Sequence, residues 1–215
     1  MTERIGRVDL SRSALLVIDV QNDFCHPDGG LGKRGISTDA AQAMAKHTAV
    51  LIDMARAAML TVIYAKTIHA AWTDSASWIR RHQDRGLELC RAGSWGAEFY
   101  GLSPLPDEPV IVKHRYDAFH GTDLELILRA RGIEGLLLAG VATNICVETT
   151  AREAFVRDYS LTLVEDCLAG SSDAEHHASL QTLKKYFDAF VMSAQQIGAI
   201  LRSKVSIRRE IKSVS

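Results

Sequence analysis

Asp19, Lys113 and Cys146 are far apart in the 215-residue chain, yet each stands at or just past the end of an apolar run short enough to be a buried strand. Asp19 is the one acid in Ala14 to Val20, and Lys113 closes Val110-Ile111-Val112. Cys146 follows Leu136 to Ala139 after Gly140 has broken that run, in the first turn of a helix expected to be capped by Asn144 and to end near Tyr159. At a helix N-terminus, free N–H groups and the positive end of the dipole favour a thiolate and could stabilise an oxyanion formed by attack on a carbonyl. A lysine charge would support the thiolate and keep Asp19 ionised, so that Asp19 could take the thiol proton and later deliver it to a leaving amine. Cys146 would be the nucleophile. Each residue alone also has an ordinary reading: Cys146 as a small apolar core residue, Asp19 as a cap on the following turn, Lys113 as a surface lysine at a strand end.

For the three to meet, their strands must run parallel with their carboxyl ends on one edge. The pattern predicts strands at Ala14–Val20, Thr61–Lys66, Val110–Lys113, Leu136–Ala139, Leu161–Val164 and Asp188–Met192. Helices are predicted at Asp39–Ala58, from Gly121-Thr122-Asp123 through Arg131 with Thr122 as N-cap, after Cys146, from Ser172 or Asp173 to Tyr186, and at Ala194–Leu201. From Val110 on, strands and helices alternate, which requires parallel pairing with right-handed crossovers. The fold class is therefore α/β, a single-domain three-layer αβα unit over residues 1–202 with a six-stranded parallel sheet, and residues 203–215 form a polar C-terminal tail. Open parallel sheets bind ligands beyond the carboxyl ends of their strands, where all three residues would lie.

Composition excludes several classes. A formal net charge of −1 announces no basic face for nucleic acid, and 47% hydrophobic with 24% charged residues is an ordinary globular balance. No apolar window is long enough for a membrane span and no signal core follows Met1-Thr2-Glu3-Arg4, so a soluble cytoplasmic protein is expected. Cys25, Cys90, Cys146 and Cys167 are widely spaced without a C-x-x-C pair, and free thiols are expected. Gly29-Gly30-Leu31-Gly32-Lys33 fails the phosphate-loop pattern at Pro27 and Arg34, and no dinucleotide fingerprint exists; this loop borders the site instead. Residues 67–109 are the least regular stretch, with Trp72, Trp78 and Trp95, and should hold helical turns and substrate-facing loops. His69, Asp74 and His82 lack tight ligand spacing, so neither a metal nor another cofactor is expected.

The runs Leu16-Val17-Ile18-Asp19-Val20-Gln21-Asn22-Asp23-Phe24, Lys113 with Tyr116 and Phe119, and Gly140-Val141-Ala142-Thr143-Asn144-Ile145-Cys146-Val147 together resemble the isochorismatase-like cysteine hydrolases, from Ala14 to about Ile197. The resemblance implies a catalytic triad of Asp19, Lys113 and Cys146, a sheet of order 3-2-1-4-5-6, a cis peptide at Val141-Ala142, an oxyanion hole from the N–H groups of Ala142 and Cys146, and a homo-oligomer, dimer or tetramer. Isochorismatases themselves lack the cysteine. Nicotinamidases carry a metal-binding D-x-H after the second strand, where this chain has Thr67-Ile68-His69. Nearer likenesses are to ureidoacrylate amidohydrolases, through Arg115-Tyr116 and Arg129-Ala130-Arg131-Gly132-Ile133, and to biuret hydrolases, through Thr122 to Leu126 and Glu165-Asp166-Cys167; the substrate-binding glutamine of biuret hydrolases aligns with Phe187 here.

The implied activity is hydrolysis of a small ureide or carbamoyl amide through an acyl-enzyme, with a small-molecule substrate and no nucleic-acid or membrane partner. The alternatives are a nicotinamidase-like amidase on another small amide, or a catalytically dead binding protein on the same fold. Phe24, Arg115, Tyr116, Phe119 and Asn144 are the candidate substrate-binding residues. Arg115 with Tyr116 and Phe119 would offer one fixed charge between aromatic walls, suited to a planar ligand bearing a carboxylate. Alternatively Arg115 points to solvent and pairs with Asp117 or Asp23.

Overall fold

The six apolar runs become six parallel strands: β1 (Ser13–Ile18), β2 (Thr61–Thr67), β3 (Val110–Lys113), β4 (Gly135–Val141), β5 (Ser160–Ala169) and β6 (Phe190–Met192). They pair in the order 3-2-1-4-5-6. The computed structural model describes residues 4–83 and 88–203. Central β1 and β4 are buried at every position, which their uninterrupted Leu, Val and Ile content permits only with layers on both faces. Edge strand β3 instead alternates exposed and buried residues.

The helices are α1 (Asp39–Ala57), α2 (Ala76–Gln83), α3 (Leu124–Ala130), α4 (Glu148–Val156), α5 (Asp173–Tyr186) and α6 over residues 194–203. Leu15 and Val17 of β1 pack with Met44, Leu51 and Ile52 of α1 and with Ile197 and Leu201 of α6. Leu16 and Ile18 point the other way, to Leu124 and Leu128 of α3, Ala151 and Ala154 of α4, and Leu180 and Leu183 of α5. Right-handed crossovers require this division, because the chain progresses one way from β1 to β2 and the other way from β4 to β6. The reversal falls between β1 and β4, and their carboxyl ends open a crevice.

Several predicted boundaries shift. β5 runs to Ala169, well past the expected stop at Glu165-Asp166, because the ladder to β4 slips register and resumes at Gly140 with Leu168. Asp166 tolerates this: its carboxylate accepts from the Ala194 N–H (2.7 Å) and its carbonyl contacts His47 Nδ1 (3.0 Å). Thr122 is not the N-cap of α3; Asp123 holds that position, and the Thr122 hydroxyl donates to the Ala118 carbonyl (2.5 Å). Ser172 does cap α5, accepting from the Glu175 N–H (3.3 Å) while donating to the Glu175 carboxylate (2.9 Å). A two-stranded antiparallel pair, Arg4–Ile5 with Val8–Asp9, precedes the sheet. Of the expected tail, Ser203 still belongs to α6 and residues 204–215 lie outside the described residues. All four cysteines are free and buried.

Candidate active site

Asp19 follows β1 directly, in a left-handed conformation (φ 55°) that a side chain rarely adopts. Bonds on either side hold it there: its N–H donates to the Ala65 carbonyl (2.8 Å) and its carbonyl accepts from the Gln21 N–H (2.8 Å). Fully buried Gln21 spans to the end of β2, donating to the Thr67 and Ala97 carbonyls (both 2.9 Å) and accepting from the Thr67 N–H (2.8 Å). Because β2 and β3 pair with Thr67 opposite Lys113, the lysine reaches across β2 toward Asp19. Its Nζ lies 2.7 Å from Asp19 Oδ2, and it donates to Thr67 Oγ1 (2.8 Å) and to the Arg115 carbonyl (3.1 Å). Lys113 is 0% and Asp19 1% exposed. Burial works against the ammonium, but Asp19 and the Cys146 sulfur hold its pKa above the ordinary lysine value.

Cys146 is placed by the end of β4. Gly140 (φ 120°) packs so closely on β1 that a Cβ would run into the Ile18 carbonyl. The Val141-Ala142 peptide bond is cis. A π-helical turn, Thr143–Val147, then presents the cysteine before α4 begins at Glu148. Asn144 is not its cap; the Ala142 carbonyl accepts from both Ile145 and Val147 N–H groups (3.0 and 3.2 Å), and Asn144 Oδ1 accepts from the Ser171 N–H and hydroxyl (3.0 and 3.2 Å). Thr143 shares a hydrogen bond with His176 of α5 (2.9 Å), and Ser179 of the same helix donates to Glu148. Residues 171–179 thus hold the turn that carries Cys146 at Thr143 and Asn144, and the start of α4 at Glu148.

The expected low-pKa thiolate is corrected by this geometry. Burial to 8% exposure pushes the Cys146 thiol well up, the Asp19 charge adds to that, and Lys113 only partly opposes it because its charge is already matched by Asp19. The buried sulfur is coupled electrostatically to both the Asp19 carboxylate and the Lys113 ammonium. A buried thiol can become a nucleophile by losing its proton to a neighbouring carboxylate during attack.

Asp19, Thr67 and Cys146 form part of the lining of a cavity of about 410 Å³, and Lys113 lies buried behind it, paired with Asp19. Phe24, Arg115 and Tyr116 line it, as do Val141 and Ala142. Phe119 does not: it is buried in the core, stacked on Tyr159 with ring centroids 5.9 Å apart. Asn144 also stays out of the lining and orients Ser171, which is part of it. Sequence reasoning missed Thr67 and Gln21, and it left Trp78 unassigned. Trp78 of α2 stands in the wall between His69 (5.0 Å) and Tyr116 (5.6 Å), with the Arg115 guanidinium 4.9 Å above its ring. Leu31 and Ile36, from the glycine-rich loop, and Leu89 close the rim. Asp23 ties these loops together, accepting from the N–H groups of Gly30 (2.8 Å) and Cys90 (2.6 Å). Among the described residues no three His, Cys, Asp or Glu side chains gather as a metal site, and Asp74 pairs with Arg91 (2.6 Å).

On this sheet, with a thiol facing a carboxylate–ammonium pair, the chain is a hydrolase of carbon–nitrogen bonds other than peptide bonds. More particularly, it belongs to the isochorismatase family, whose Isochorismatase domain matches residues 13–196. It is 31% identical over 196 residues to ureidoacrylate amidohydrolase RutB of Methylobacterium radiotolerans, covering 84% of this chain and 76% of that protein. A cysteine hydrolase from Pseudomonas syringae pv. phaseolicola superposes with TM-score 0.82 at 26% identity, over 95% of this chain and 98% of that one. N-carbamoylsarcosine amidase from Thermoplasma acidophilum does so with TM-score 0.72 at 29% identity, over 85% and 96% respectively. No helix among the described residues is long and apolar enough to cross a membrane.

Proposed function

We propose that this chain hydrolyses a C–N bond of a small ureide or carbamoyl amide, with Cys146 as nucleophile, Asp19 as proton acceptor and donor, and Lys113 as the charge paired with Asp19. The carrying observation is a buried cysteine that shares the lining of the cavity with Asp19, whose carboxylate is ion-paired with the buried Lys113. The thiol proton passes to Asp19 as sulfur bonds to the carbonyl carbon, and the carbonyl π electrons move to oxygen. Backbone N–H groups of Ala142 and Cys146 are the proposed partners of that oxyanion. Asp19 returns the proton to nitrogen as the C–N bond breaks, leaving the carbamoyl carbon on sulfur as a thiocarbamate (a thioester where the substrate is a simple amide). Water, losing a proton to Asp19, then attacks that carbon, the C–S bond breaks, and Asp19 returns the proton to sulfur.

A carboxylate on the substrate is favoured by Arg115. Its guanidinium donates to the His114 and Thr73 carbonyls (2.6 and 3.1 Å), and among the described residues it has no carboxylate at ion-pairing distance. Asp117 is occupied by the Phe119 N–H (2.9 Å) and Asp23 by two loop N–H groups, so the alternative pairing is not made. Two of the three named relatives carry a ureido or carbamoyl compound bearing a carboxylate in their names, which supports the same substrate class.

The test is ammonia release over a panel of ureides and amides by the wild type, Cys146→Ser and Arg115→Ala. Cys146→Ser should fold and lose at least about a thousandfold in rate, because an alcohol gives up its proton far less readily than a thiol. Arg115→Ala should lose about 2 to 3 kcal/mol in kcat/KM on N-carbamoyl amino acids and little on methylurea or simple amides. A serine variant above about a tenth of wild-type rate ends the nucleophile assignment, and equal losses on charged and neutral substrates end the carboxylate assignment.

A further inference from the structure

We infer that Thr67 is a positioning residue that assigns separate tasks to the two oxygens of Asp19: its hydroxyl occupies Oδ1, leaving Oδ2 as the atom that exchanges the proton with Cys146. This rests on the cysteine-hydrolase reading above. The direction of every bond around Thr67 follows from what each group can give. A lysine ammonium has donors and no acceptor, so in the 2.8 Å contact Nζ donates and Thr67 Oγ1 accepts. The single hydroxyl proton is then available to Asp19 Oδ1 at 2.9 Å, which as a carboxylate oxygen can only accept. The bonds run one way, from Lys113 through Thr67 to Asp19.

Oδ2 is in a different position. It is buried, lies 2.7 Å from Nζ as an ion pair, and receives no directed hydrogen bond among the described residues. The Lys113 ammonium can satisfy one lone pair of Oδ2, and the other is left for Cys146, which lines the same cavity as Asp19 and carries a proton to give. A proton placed on Oδ1 would face the Thr67 hydroxyl proton; a proton on Oδ2 leaves that bond intact. The hydroxyl is not needed to hold the strand end, because Gln21 already binds both the Thr67 N–H and its carbonyl. Its bonds are spent on Asp19 and Lys113.

The variants Thr67→Val, which keeps the branched shape without the hydroxyl, and Thr67→Ser, which keeps the hydroxyl without the methyl, separate the two roles. Two readouts are taken against pH: kcat/KM on N-carbamoylglycine, and the rate at which iodoacetamide labels Cys146, read by peptide mass spectrometry. Thr67→Val removes the hydroxyl that occupies Oδ1, so the acid limb of both profiles should move up by about one pH unit and kcat should fall about ten- to a hundredfold. Thr67→Ser should keep the limb in place and kcat within about threefold. Melting temperatures confirm that both variants fold; should Thr67→Val fail to, Thr67→Ala takes its place with the same expectation. A valine profile coincident with wild type overturns the inference, and so does a serine variant as impaired as the valine one, since the methyl would then be what matters. If wild-type Cys146 is labelled no faster than Cys90 and Cys167, the cysteine-hydrolase reading fails instead.

Discussion

Lys113 and Asp19 are each tolerable in the core only because the other is present. Removing one partner of a buried pair leaves an uncompensated charge and costs about 3–5 kcal/mol, whereas removing both is often close to neutral. Lys113→Met and Asp19→Asn should therefore each destabilise the protein by that order, and the double variant should recover most of the loss; urea unfolding of the three proteins measures it, and additive losses would refute it. Asp19, Lys113 and Cys146 were legible because each is a chemically exceptional residue closing an apolar run. Thr67 was not, since a threonine ending a strand is an ordinary β-former and its task arises only from lying between Asp19 and Lys113 across three strands. Phe119 was misplaced for a related reason. Spacing along a loop does not say whether an aromatic ring faces the cavity or the core, and this one turns toward Tyr159.

Among the elements, the turn Thr143–Val147 carries the proposed nucleophile, and it is held by His176 of α5 and by Ser171 just before that helix. Its π-helical geometry leaves no mark in the pattern of residue types, which is why the sequence suggested an ordinary capped helix there. His176→Ala removes the partner of a fully buried hydroxyl, that of Thr143. It should cost about 1–3 kcal/mol of stability and lower kcat by a larger factor than it changes KM, because the turn carries the proposed reacting atom. His176→Asn, able to reach Thr143 from a similar position, should restore most of kcat. A variant that raised KM at constant kcat would place His176 in recognition instead. Burial, with His177 beside it, holds the His176 ring below its ordinary pKa, against smaller opposing effects of Glu165 and Asp173. Its folded value being depressed, the stability linked to it is present above pH 6.5 and lost as pH falls through the lowered value.

At the scale of the molecule, the strand order and the two-sided core follow from six apolar runs and the handedness of crossovers, and the family resemblance agrees with both. The rim was less legible, because residues 67–109 and the glycine-rich loop are shaped by tertiary bonds such as those of Asp23, not by periodicity. Burial of every cysteine affects the whole fold: Cys25 and Cys167 are pushed up to about 12 from 9.0, Cys90 and Cys146 also rise, and burial takes Tyr64 to about 12. Groups whose folded pKa is raised stabilise the fold below their unfolded value and cease to do so as pH climbs toward the folded one. The melting temperature should therefore hold to roughly pH 8.5 and fall steadily beyond it, and a flat profile to about pH 11 would contradict this. The depth of the Asp19–Lys113 pair also sets how the enzyme responds to its medium. Mobile ions screen exposed charges within about 8 Å at physiological strength but hardly reach a buried pair, so the chemical step should be indifferent to added salt. The guanidiniums of Arg115, part-buried, and Arg81, exposed, stand in the cavity wall where ions can approach. Raising sodium chloride should then lower kcat/KM for carboxylated ureides and leave neutral ones unchanged, so that the preference between them becomes a property of the solution as well as of the protein.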